Sequence, residues 1–223
     1  VRRNGYFTAV ASVLLALSIV AFSDNLFTNV GQPSNRDPKF LVHGFFGLAW
    51  SVLLVVQANL VRTGRPQAHR RLGIATFLAA AGVVASTAYV FVVVWKGWGA
   101  MAPFVRANRL FLPAFAACVV LAWRERARPE RHKRYVFVGS FFMMEPVLSR
   151  AFDPLVASWA DRCFPELLGR YGEAGFSLFF WGAWAGLFVS LGVHDRRTIG
   201  RLHPVTLGGY ATFVAVHCAS RLA

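Results

Sequence analysis

The chain alternates apolar blocks of near-bilayer length with short basic turns, and few architectures tolerate that alternation. The blocks fall at about 6–27, 40–61, 72–95, 110–123, 135–152, 175–193 and 205–220. Crossing a hydrocarbon core takes about 20 residues of helix. In lipid only helices and closed barrels satisfy every backbone polar group, and these blocks lack the alternation of barrel strands. The expected fold is therefore all-α, an integral membrane bundle of seven transmembrane helices forming a single domain over residues 1–223. A hydrophobic content of 56% and a mean hydropathy of +0.48 place the chain well outside soluble domains.

The basic turns orient the bundle. RPQAHRR (Arg65 to Arg71) recurs as RPERHKR (Arg128 to Arg134), and GRLHP (Gly200 to Pro204) is a weaker third echo. Each puts a histidine just ahead of, or in the first turn of, an apolar block, so three similar hairpins follow a first helix. Of the 24 Lys and Arg residues, about 15 lie on the side of the N-terminus and these turns, against about 9 on the other. The positive-inside rule then predicts a cytoplasmic N-terminus and an external C-terminus, and Val1, readable as a translated GTG start codon, fits a bacterial source and hence its inner membrane. With the formal charge of +14 used up in orienting loops, nucleic acid is a poor partner and the lipid bilayer the expected one. VRRNG followed by an apolar run without a small-residue cleavage site reads as a retained first helix. Cys118, Cys163 and Cys218 show no CxxC spacing and imply no disulfide framework.

Some smaller features read as packing. Pro66 and Pro129 suit the first turn of a helix, where a missing N–H costs nothing. Gly182, Gly186 and Ser190, and Gly47 with Ser51, are spaced four apart, as close backbone approach in membranes requires. Trp95, Trp98, Trp123 and Trp159 fall near expected interfaces. The segment 153–174 reads as a long amphipathic loop on the membrane surface.

The candidate site residues form two layers. His69, His132 and His203 lie at the basic end of three helices, where they could converge on a metal, a haem or a proton path, or simply contact lipid phosphates. In the other half lie His43, one turn into its block, and His217, 13 residues beyond Pro204 and so about 20 Å across. Two histidines at matching depth are what a haem b requires. Asp24, Glu145 and Arg150 form an expected polar intramembrane cluster, with Arg109 close by, since ionisable groups at such depth face a partner or a cavity. Glu145 and Arg150 are separated by about 140° on an ideal helix, and Pro146 bends that helix. His194 and Asp195 read as part of a basic turn.

HGFFGLAW, HRRLG, HKRYVF ending in SRAF, and HDRRTIGRLHPVTLGG together resemble an uncharacterised family of bacterial polytopic membrane proteins. The likeness runs from about Phe40 to the C-terminus and is similar, more loosely, to domain-of-unknown-function proteins with a two-haem cytochrome b-like histidine pattern. By motif it singles out His43, His69, Arg70, His132, Arg150, Asp195, His203 and Arg221, and leaves Glu145 and His217 outside the pattern. Three functional expectations follow. The first is a membrane redox protein binding haem b through intramembrane histidines. The second is a non-catalytic subunit of a larger membrane complex. The third is a metal-dependent membrane enzyme or small-molecule transporter around Glu145, His43 and Arg150, with no inverted repeat to favour transport.

Overall fold

The computed structural model describes residues 5–222. Helices make up 86% of it and no strands occur among the described residues. In chain order they are α1 (Tyr6–Ala21), α2 (Pro38–Arg62), α3 (Pro66–Val93), α4 (Pro103–Arg124), α5 (Pro129–Phe142), α6 (Glu145–Phe152), α7 (Ser158–Cys163), α8 (Pro165–Ile199) and α9 (Pro204–Arg221). π-helical turns at Asp24–Thr28 and Asp153–Ala157 follow α1 and α6.

Proline sets where these helices begin. Pro38, Pro66, Pro103, Pro129, Pro165 and Pro204 each occupy the first helical position, where the fixed φ helps and the missing N–H would have no partner. α3 and α5 thus start six residues before their expected apolar blocks, and α4 starts seven before. The basic repeat is the first turn of the following helix rather than a loop. Gly64 and Gly200, with φ of 76° and 72°, supply the left-handed residue that ends α2 and α8.

Two expected boundaries are corrected. The block at 135–152 is broken between α5 and α6 at Met143 and Met144. Pro146, at the start of α6, cannot donate to a carbonyl one turn back, so a continuous helix would leave that acceptor unmatched. The expected surface loop at 153–174 is largely helical, through a π turn, α7 and the first turns of α8.

Four helices, α2, α3, α4 and α8, are long and apolar enough to cross a membrane. α1, with 16 residues, spans about 24 Å, and α5 has only 14 residues before its break. The main core joins α1, α4, α5, α6, α8 and α9 around Phe111, Phe141, Phe142, Leu148, Trp184 and Leu191. A second cluster, Trp50, Ala80, Val83 and Phe115, fastens α2 and α3 onto α4. Close backbone approach occurs at other glycines than expected. A Cβ on Gly82 would fall 2.2 Å from the Phe46 ring and one on Gly209 2.5 Å from Val138, whereas Gly47, Gly182 and Gly186 face open space.

Candidate functional site

At the basic end, α5, α8 and α9 meet on a fully buried ion pair. Arg134 begins the inward stripe of α5 that continues through Phe137, Val138 and Phe141. Its Nε and Nη2 both donate to Asp195 Oδ1, at 2.8 and 2.6 Å, and neither side chain has any solvent exposure. Nη1 donates to the Glu130 carbonyl and carboxylate. The other oxygen of Asp195 accepts from the His203 backbone N–H at 3.0 Å and the Thr206 hydroxyl at 2.6 Å. Every oxygen and nitrogen of the pair thus has a partner, the condition under which a buried charge is tolerated. His194, beside it, stacks on Tyr6 at 4.2 Å and meets Phe7 edge-on.

Of the three turn histidines the structure brings two together. The rings of His69 and His132 lie 6.1 Å apart and almost perpendicular. His132 Nδ1 is 2.8 Å from the Ala122 carbonyl; a carbonyl only accepts, so the proton sits on Nδ1 and Nε2 keeps its lone pair. Gln57, its amide turned so that both ends are satisfied, donates to His69 Nδ1 at 2.6 Å and to the His69 carbonyl at 3.2 Å. That leaves the His69 proton on Nε2. His203 does not join them: its Nδ1 accepts the Val205 N–H at 3.1 Å and caps α9. Burial holds its imidazole below the ordinary histidine range, the positive Arg134 pushing the same way.

In the other half the candidates disperse. Glu145 is 2% exposed at the first position of α6, and Asn108 of α4 donates to its Oε2. Arg150 is exposed and lies over the Phe22 ring at 4.8 Å. Asp24, also exposed, takes only a long contact from Gln32 at 3.5 Å. Asp24, Glu145 and Arg150 therefore form no contact cluster; five residues of separation around the break send Glu145 inward and Arg150 outward. Arg106 is buried and donates to the carbonyls of Trp98, Gly99 and Ser220, tying the α3–α4 loop to the end of α9.

His43 and His217 likewise have separate surroundings. His43 Nδ1 meets Thr87 Oγ1 at 3.2 Å, between α2 and α3. His217 is ringed by Phe213, Trp181, Trp184 and Phe111, with centroids 4.7 to 5.3 Å away. Its Nε2 is buried without a hydrogen-bond partner among the described residues. Four rings leave a flat macrocycle no place against this imidazole, so a haem held between His43 and His217 does not fit this packing. No group of three or more His, Cys, Asp or Glu side chains among the described residues is placed to hold a metal ion.

Sequence reading missed Arg134, Asn108 and Gln57. A signal existed for the first two, since Arg134 and Asn108 stand three residues before buried phenylalanines, Phe137 and Phe111, on inward stripes. No family model matches the chain, and neither a curated protein nor a solved structure matches it.

Proposed function

We propose that the protein is a seven-helix protein of a bacterial inner membrane, N-terminus cytoplasmic and C-terminus external, acting in membrane redox chemistry through the histidine pair His69 and His132. α1, the α5–α6 unit and α9 would complete the seven crossings, although none meets the length and composition of a span alone. The broken span is tolerable because its freed backbone is buried in protein. The wider family likeness described above is part of the same proposal.

The observation that carries the redox reading is the convergence of these two rings from α3 and α5. The rings lie 6.1 Å apart, and His69 and His132 would be the residues to hold a metal centre, which nitrogen ligands bind at about 2 Å. His132 Nδ1 donates to a carbonyl, as the second nitrogen of a ligating imidazole usually does, and leaves Nε2 for a metal; His69 Nδ1 instead accepts from Gln57. His132 already carries its proton on Nδ1, whereas His69 would have to shift its proton from Nε2 to Nδ1, with the Gln57 amide turned to accept it, an exchange that releases no net proton. Haem b is the proposed centre, and one-electron transfer is the chemistry it supplies.

The test is an absorption spectrum of detergent-purified protein, oxidised and then reduced with dithionite. A Soret band that shifts on reduction and disappears in both His69→Ala and His132→Ala, but survives in His43→Ala, is expected. A colourless, metal-free protein overturns the reading. A second reading, an accessory subunit of a larger membrane complex, is favoured by the outer face of α2 and α3. There a groove of about 760 Å³ runs past Val42, Phe46, Gly82 and Tyr89, with Asp37 and Lys39 at its end. Co-purification of a partner lost on Val42→Trp, which fills the groove from an exposed position, would support that reading.

A further inference from the structure

Three residues after Arg106, α4 carries a second arginine whose surroundings are different. Arg109 faces the groove between α3 and α4, a space of about 410 Å³ lined by Ala88, Phe91, Val92, Trp95, Arg109 and Leu112. Its Nε donates to the Met101 sulfur at 3.0 Å and its Nη2 to the Phe91 carbonyl at 3.2 Å. The guanidinium lies over Phe91 at 4.5 Å and Trp95 at 5.3 Å. Five N–H donors are available to an arginine, so three remain beyond these two bonds. None of the ion pairs among the described residues includes Arg109. The charge is thus half-buried, desolvated by apolar walls, and not balanced by a carboxylate among the described residues.

The depth is that of a headgroup boundary. Arg109 stands six residues inside α4, about 9 Å below its start, and Trp95 stands two beyond the end of α3. Indoles prefer that boundary, and arginine side chains reach it from below. Below the guanidinium the walls are hydrocarbon: Ala88 and Val92, the latter 73% exposed, on one side and Leu112 on the other. Pro113 also denies the Arg109 carbonyl its helical hydrogen bond, which loosens α4 at this level. A ligand suited to this groove has an anionic group at the top and an apolar chain beneath it.

We propose that the α3–α4 groove is a phospholipid site, in which the Arg109 guanidinium holds the headgroup phosphate and Ala88, Val92 and Leu112 line one acyl chain. Guanidinium and phosphate match as a planar, two-pronged pair. The site is independent of the histidine pair, and the proposed topology assigns it to the outer leaflet.

Native mass spectrometry of the full chain released from nanodiscs tests it, with phosphatidylglycerol as the probe and diacylglycerol, which lacks the phosphate, as its comparison. The wild type should retain one phosphatidylglycerol, Arg109→Gln at least fivefold less, and Arg109→Lys an intermediate amount. Arg126→Gln, which removes an arginine that lies over Trp123 in the same manner at the basic end, should retain as much as the wild type. Val92→Trp fills the groove from an exposed position and keeps the charge, so it should lose the lipid even if Arg109→Gln does not fold. Equal retention of phosphatidylglycerol by Arg109→Gln or Val92→Trp overturns the proposal. So does equal retention of diacylglycerol, or displacement of the lipid by millimolar inorganic phosphate, because then the phosphate or the chain is not what the groove recognises.

Discussion

The two copies of the basic repeat end on arginines with opposite fates. Arg71 is exposed, whereas Arg134 has no exposure and lies on Asp195. Removing one member of a fully buried pair strands the other charge and costs about 3–5 kcal/mol. Asp195→Ala should therefore lower the thermal stability of the detergent-solubilised protein by about that amount. Asp195→Asn, able to keep the Thr206 and His203 contacts, should cost less, and Arg71→Ala should stay within about 0.5 kcal/mol. Equal effects of Asp195→Ala and Arg71→Ala would sink this account. From sequence, Arg134 was only one of four Lys and Arg residues in its turn; its inward direction depends on the helix starting at Pro129, and its partner comes from 61 residues away.

At the scale of the element, helix starts were more legible than helix continuity. Proline at the first position explains six helix starts, and reading Pro38, Pro103, Pro165 and Pro204 as Pro66 and Pro129 were read would have given the starts of α2, α4, α8 and α9 as well. The break at Met143 was hinted at by Pro146, yet a proline inside a helix need not break it: Pro113 is carried within α4. The cap of α9 carries a pH dependence. His203 accepts the Val205 N–H through Nδ1, which only the neutral ring can do. Its pKa is depressed on folding, so its contribution is present above the unfolded value near 6.5 and is lost as pH falls through that value and below it. Acidification from pH 7.5 to 5 should therefore lower the melting temperature, and His203→Asn, which keeps a cap that does not titrate, should flatten that part of the profile. Unchanged slopes would remove His203 as the source.

For the whole molecule, the proposed orientation puts Cys163 outside, at the end of α7, while Cys118 is buried. With the exposed Cys218 replaced by serine, a membrane-impermeant maleimide should label Cys163 in intact spheroplasts, and the signal should be lost in Cys163→Ser. Labelling that appears only after permeabilisation would invert the topology. The same bundle explains why the candidate sites scattered. Depth along a helix can be counted at 1.5 Å per residue, which puts His43, 19 residues from the end of α2, and His217, 13 residues from the start of α9, about 9 Å apart in distance from the basic end. Which way each ring points depends on rotation and neighbours, and α2 turns His43 toward Thr87 while α9 turns His217 into four aromatic rings.

By itself the sequence determined the helical class, the apolar blocks and the positions of the basic turns, because period, length and charge are local properties of the chain. Only the tertiary structure decided that His69 meets His132 without His203, that Arg134 rather than its basic neighbours is buried, and that Arg109 faces a groove with no carboxylate. Those are properties of pairs of helices brought together by packing, and a face-to-face contact between segments tens of residues apart leaves no periodic trace in either one.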